Sequence, residues 1–99
     1  MTNSEISAIF SDIAARLRVK KENIFKIRAY EKVARSISDL KEPVEKLVAE
    51  GRLKEIPGAG EAIQKKLTEL AATRKLAFYE KLKAEFPERS ASAPLPGAA

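Results

Sequence analysis

Apolar residues return every three or four positions through most of the chain, the period of amphipathic helices. In "TNSEISAIFSDIAARLRV", Ile6, Ile9, Phe10, Ile13 and Leu17 fall on one face, which predicts a first helix. Thr2 and Glu5 have the spacing of a capping box, in which each side chain satisfies a backbone N–H left open by the first turn. "KKEN" interrupts the pattern. A second stripe, Tyr30, Val33, Ile37 and Leu40, predicts a helix over 26–40, with Arg28 and Arg35 on its opposite, solvated side. Pro43 suits the first position of a third helix, where its missing N–H is harmless. Leu47 and Val48 would be its inner face and Gly51 its end. "RLKEI" has room for one short turn only. A fourth helix is predicted over about 61–73. A fifth follows in "KLAFYEKLKAEF", with Leu76, Tyr79, Leu82 and Phe86 on its inner side. No strand-like alternation and no internal repeat occurs, so the expected fold class is all-α: a small bundle of four to five helices.

Past Phe86 the pattern fails. "PERSASAPLPGAA" is small and Pro-rich and cannot bury enough surface to offset its ordering entropy. The expected organisation is a helical domain over 1–87 and a disordered tail or linker stump over 88–99. A chain of 99 residues allows one such domain.

Composition narrows the chemistry. The sequence has no cysteine and no histidine, which removes disulfides, thiolate metal sites and Ser-His or Cys-His nucleophile pairs. No apolar run approaches the about 18 residues needed to span a bilayer, and "MTNSEISAIF" lacks the basic start and apolar stretch of a signal peptide. The expectation is a cytoplasmic monomer with no membrane partner, nucleoid-associated in a bacterium. Nineteen Lys and Arg against 14 Asp and Glu give a net charge of +5, which points to a polyanion partner once a docking geometry accompanies it.

"EIPGAGEAIQKKL", residues 55–67, supplies that geometry. A short turn, an apolar residue, P-G-x-G and a helix form the helix-hairpin-helix pattern, here about 52–73. Gly58 and Gly60 let the backbone turn tightly and approach a phosphate without an intervening Cβ. The following helix offers open N–H groups and the positive end of its dipole. Such a turn binds the sugar-phosphate backbone without reading bases. Ile56 and Ile63 would pin the two limbs together from beneath. Arg52, Lys54, Lys65 and Lys66 are the expected cations around it.

"ENIFKIRAYEKVARSI" and, some twenty residues on, "LVAEGRLKEIPGAGEAIQKKLTEL" together resemble the N-terminal domain of family X DNA polymerases, the bacterial members most and DNA polymerase beta more distantly. The resemblance spans about 6–87. It implies a helical bundle that grips the 5′-phosphate side of gapped or nicked DNA in base-excision repair. In polymerase beta the domain also removes 5′-deoxyribose phosphate through a lysine Schiff base. On this resemblance the lyase lysine falls on Lys66, the phosphate-binding lysine on Lys26, the pocket tyrosine on Tyr30, and a basic residue before the hairpin on Lys54. Two positions depart from polymerase beta: Lys65 replaces an acidic residue, and Ala62 replaces a lysine. DNA binding survives that comparison better than catalysis. No cofactor is required, but the resemblance implies a sodium or potassium ion held by the backbone carbonyls of Lys54, Ile56 and Ala59. The polymerase metal site is not in this chain.

Helical spacing separates the two adjacent lysines without the resemblance. At about 100° per residue, Ile63, Leu67 and Leu70 define a stripe. Lys65 falls nearly opposite its centre and is expected in water, within reach of phosphate. Lys66 falls at its edge, where the stem can lie along apolar surface. Partial desolvation and a neighbouring cation such as Lys26 would raise the neutral fraction that a Schiff-base nucleophile needs. The plainer role for Lys66 is a snorkelling phosphate contact. Tyr30, near the centre of its own stripe, is expected as a core aromatic whose hydroxyl reaches the surface. Two functional classes stand: a non-sequence-specific DNA-binding module with lyase activity as its finer form, and a free-standing protein-interaction bundle with no DNA role.

Overall fold

A computed structural model describes residues 1–85. Phe86, Pro87 and the segment 88–99 lie outside the described residues, and with them the expected domain boundary and tail. Five α-helices and one 3-10 turn follow in order: α1 Asn3–Val19, α2 Ile24–Ser38, α3 Val44–Ala49, the 3-10 turn Leu53–Glu55, α4 Glu61–Thr73 and α5 Ala77–Glu85. There is no strand among the described residues. The all-α bundle is as expected.

Local chemistry sets the ends. The Thr2–Glu5 capping box forms at the start of α1. The turn after α1 closes when Lys21 adopts a left-handed φ of 63° and Glu22 N–H donates to the Leu17 carbonyl at 3.0 Å. α2 begins two residues earlier than the apolar stripe predicts, because the Asn23 side chain accepts from Phe25 N–H at 2.7 Å and nucleates the helix there. It ends at Ser38, so Leu40 is a half-buried residue beyond the helix. Pro43 is the N-cap of α3 and not its first residue. The inner face of α3 is Val44 and Leu47, while Val48 is only half-buried. Gly51 ends that helix region with a φ of 66°, the left-handed conformation glycine adopts without strain. α5 starts at Ala77, two residues later than the pattern suggests, where the Glu69 carboxylate accepts Ala77 N–H at 2.8 Å.

α1 and α2 pack along each other, with α5 against α1 and α3 against α4. Ile6, Phe10, Ile13 and Leu17 of α1 meet Ile27, Tyr30, Val33 and Ile37 of α2. The same core continues through Leu47, Leu53, Ile56, Ile63, Leu67, Leu70, Leu76 and Leu82. Asn3 ties the chain start to α3, donating to the Glu42 carbonyl at 2.8 Å and accepting from Val44 N–H at 2.9 Å. One polar cluster lies inside. Asp12 and Arg16 are both buried; Arg16 Nε donates to Asp12 Oδ2 at 2.9 Å, and the Tyr79 hydroxyl donates to the same oxygen. Tyr79 is therefore half-buried with its tip latching α5 onto α1, and not simply an apolar inner residue.

Candidate nucleic-acid interface

The turn between the 3-10 segment and α4 is built by two separate devices. Ala59 N–H donates to the Ile56 carbonyl at 3.0 Å across Pro57 and Gly58. Proline at the first central position and a glycine with φ 88° at the second give the pattern of a type II turn. Gly58 is glycine for a second reason. A Cβ there would lie 3.1 Å from the Lys32 stem and 3.4 Å from a Val33 methyl. Gly60 differs: its φ is −72°, it is the N-cap of α4, and a Cβ would meet nothing within 4 Å. The tight turn thus needs Gly58 alone, and Gly60 leaves the outer approach to α4 bare.

The hairpin is pinned from three sides. Ser36 Oγ donates to the Pro57 carbonyl at 2.9 Å. Gln64 Nε2 donates to the Ala59 carbonyl at 2.8 Å. Ile56 and Ile63 are buried beneath, as the pattern predicts, and each such side chain contributes about 1.5–3 kcal/mol.

What the hairpin presents is a set of open donors. The other helices have side-chain acceptors at their starts: Thr2 for α1, Asn23 for α2, Asn3 for α3 and Glu69 for α5. α4 has a glycine N-cap and no side-chain cap. The N–H groups of Glu61, Ala62 and Ile63 have no acceptor among the described residues; the first helical bond is Gln64 N–H to the Gly60 carbonyl at 2.9 Å. Three uncapped amides at the positive end of a 13-residue helix are an anion site in waiting. The exposed Glu61 carboxylate is the one opposing charge in that first turn.

The cations do not all face it. Arg52 donates to Glu55 and Glu42 at 2.9 Å and to Glu50 at 2.5 Å. Its charge is neutralised, and its pKa is pushed well above the ordinary arginine value by those carboxylates, Glu55 first. Contrary to the expectation from the sequence, Arg52 is therefore not a free cation of the hairpin. Lys54 and Lys65 are exposed. Lys32, which sequence spacing alone does not bring to the hairpin, lays its stem across Gly58.

Lys66 is half-buried, and its Nζ lies 4.7 Å from the centroid of Phe78. Phe78 stacks on Tyr30 (centroids 6.1 Å apart, planes 7°), and Tyr30 stacks on Phe10 (5.8 Å, 22°). Burial, then repulsion from Lys26, holds the Lys66 amine below the ordinary lysine pKa, against a smaller opposite pull from Glu69. Tyr30 is 4% exposed, and burial pushes its phenol up, so it stays protonated at neutral pH. Lys26 is exposed, 3.9 Å from the Glu22 carboxylate. Lys66 shares an open concavity of about 350 Å³ with Glu61, Ala62, Lys65, Glu69, Leu76 and Phe78. Ala62 thus adjoins Lys66. The structure brings Lys26, Tyr30 and Lys66 to one region, and Gly58, Gly60 and Lys54 to the hairpin. The part played by Phe78 was not visible in the sequence, since nothing in the α5 pattern points it at Lys66.

The three carbonyls of the expected cation site differ. The Lys54 carbonyl accepts no backbone bond, because its partner three residues on is Pro57, which has no N–H. The Ile56 carbonyl accepts Ala59 N–H, and the Ala59 carbonyl accepts Gln64 Nε2. A carbonyl oxygen has two lone pairs, so these bonds leave each of the three with acceptor capacity. Among the described residues no His, Cys, Asp and Glu cluster could hold a metal, and no helix is long and apolar enough to cross a membrane.

Comparison with known families agrees with this geometry: the sequence model of the helix-hairpin-helix domain matches residues 1–76. No match was found among curated proteins.

Proposed function

The chain belongs to the helix-hairpin-helix domain family, and from that premise we propose that it binds DNA through the sugar-phosphate backbone, at a gap, nick or 5′-phosphorylated end, without sequence preference. The observation that carries this reading is the uncapped start of α4 beside the Gly58 turn. The amides of Glu61, Ala62 and Ile63 receive a phosphate oxygen, and the bare Gly60 admits the strand. Lys32, Lys54 and Lys65 flank the strand as point charges. Lys26, Tyr30 and Lys66 receive the 5′-phosphate end. A sodium or potassium ion on the carbonyls of Lys54, Ile56 and Ala59 would supply positive charge toward a phosphate.

The finer reading is a 5′-deoxyribose-phosphate lyase in base-excision repair, in the manner of the family X polymerases. It is supported by the half-burial of Lys66 and its lowered pKa. The neutral amine adds to the C1′ aldehyde and loses water to give an imine; the imine acidifies the C2′ proton, whose removal by a base breaks the C3′–O bond and releases the DNA with a 5′-phosphate, and water then hydrolyses the imine to return the lysine.

The test is a titration against gapped DNA of two unrelated sequences at two salt concentrations. The expected result is equal affinity for both sequences and a steep fall with salt. Affinity that ignores salt, or follows sequence, contradicts backbone binding, and no measurable affinity for either DNA favours the protein-interaction class. A parallel arm replaces potassium with a bulky organic cation at matched ionic strength; unchanged affinity there removes the cation alone.

A further inference from the structure

Lys66 is seated on a ring and not on a carboxylate. Its Nζ lies 4.7 Å from the centroid of Phe78, and among the described residues it makes no ion pair. Glu69, which shares the concavity, is engaged by Ala77 N–H at 2.8 Å. The distinction matters for a lysine. A carboxylate partner holds the amine charged, whereas an apolar wall guides the stem and excludes water, which favours the neutral form. The ring itself is braced. Phe78 stacks on Tyr30, and Tyr30 on Phe10, so α5, α2 and α1 together fix the surface on which the amine rests. α5 does not depend on that ring for its place: Leu76 and Leu82 are buried, and the Tyr79 hydroxyl donates to Asp12. Phe78 is thus a half-buried wall residue on an element that others already anchor. It also stands past Leu76, where the match to the family model ends.

We propose that Phe78 is a positioning residue for Lys66, its braced ring seating the amine at the wall of the concavity and keeping it from water; this rests on the lyase reading and adds to it the group that readies the nucleophile. A free lysine stem samples many rotamers, and ordering it before the sugar arrives removes that cost from the reaction. The charged and titratable groups about the amine are Lys26 and Tyr30 of α2 and Glu61, Lys65 and Glu69 of α4. From the α5 side the concavity is lined by Leu76 and Phe78, neither of which titrates. Lys26 repels the charged amine and Glu69 favours it, while burial outweighs both. Phe78 is the aromatic part of that cover.

The experiment follows the Lys66 Cε resonance of isotope-labelled protein through a pH titration by NMR and, in parallel, borohydride trapping on incised abasic DNA. Phe78→Ala should move the Lys66 midpoint up toward the ordinary lysine value of about 10.4. It should slow adduct formation at neutral pH by roughly 10- to 100-fold, with gapped-DNA affinity and circular dichroism unchanged. Phe78→Tyr should restore both the midpoint and the rate. Phe78→Leu keeps the apolar cover and the packing of α5 without a ring face; its midpoint should stay low while adduct formation still falls. A Phe78→Leu variant that forms adduct as fast as wild type overturns the seat, and so does a folded Phe78→Ala with an unmoved midpoint. Either result leaves the lyase reading standing. A wild type that binds gapped DNA and forms no adduct overturns the lyase reading, and the seat with it.

Discussion

Lys65 and Lys66 are neighbours in sequence and occupy different environments. Lys65 is exposed, whereas Lys66 is half-buried over the Phe78 ring, with Lys26 as a cationic neighbour. Charge repulsion and desolvation both favour the neutral amine of Lys66. The cation–π contact favours the charged one, yet the net direction is downward. Borohydride trapping on incised abasic DNA should therefore label wild type and Lys65→Ala, and fail in Lys66→Ala. Adduct formation should rise with pH, with a midpoint below the ordinary lysine value of about 10.4, because a depressed pKa brings in the neutral nucleophile earlier. Absence of any adduct under conditions where gapped DNA binds would reduce the domain to a binding module. The difference between the two lysines was legible from the stripe of Ile63, Leu67 and Leu70. What the stripe could not show was Phe78, which reaches Lys66 only because α5 folds back beside α4.

Most helix ends of the bundle are set by short-range chemistry, and two of them place a non-glycine residue in the left-handed region, Lys21 after α1 and Arg74 after α4. α4 ends at Arg74 with φ 61° and ψ 17°, and its N–H donates to the Leu70 carbonyl at 2.8 Å. A side chain in that left-handed conformation costs about 1 kcal/mol, which glycine avoids. Arg74→Gly should therefore raise the unfolding free energy by about 0.5–1 kcal/mol in a urea melt, and a loss of stability would show that the side chain does more than end the helix. The bounds of α4 were readable because Pro57, Gly58 and Gly60 punctuate its start. α2 was displaced by two residues because Asn23, hidden in an apparent break, is its cap. The Asp12–Arg16–Tyr79 latch was illegible for another reason: Asp12 and Arg16 pair within α1, but Tyr79 joins them from a helix 67 residues on in the chain, and a polar residue on an apolar face announces no such partner.

At the scale of the whole molecule the net charge of +5 is unevenly placed. Around Arg52, the carboxylates of Glu42, Glu50 and Glu55 pair with the guanidinium, and Glu42 pairs also with Lys46 at 3.1 Å, so the cations of that flank are matched by acids. Lys26, Lys32, Lys54, Lys65 and Lys66 lie about the hairpin and its neighbouring helix faces. Composition announced the excess but not which cations stand in ion pairs, as Arg52 does. The hairpin motif itself was fully legible, since P-G-x-G encodes a turn geometry directly. The separate tasks of its two glycines required the backbone angles. Gly58 makes the turn; Gly60 keeps the approach to the α4 amides clear. The central claim is that those amides hold the DNA backbone, and the gapped-DNA affinity of Gly60→Val tests it most directly. A Cβ at Gly60 meets nothing inside the protein, so the variant should retain its helical circular dichroism. Its affinity should fall at least about tenfold, equally for unrelated sequences, in line with the loss of one or more charge-assisted hydrogen bonds at about 1.5–3 kcal/mol each. A folded Gly60→Val that binds gapped DNA as tightly as wild type would contradict the account.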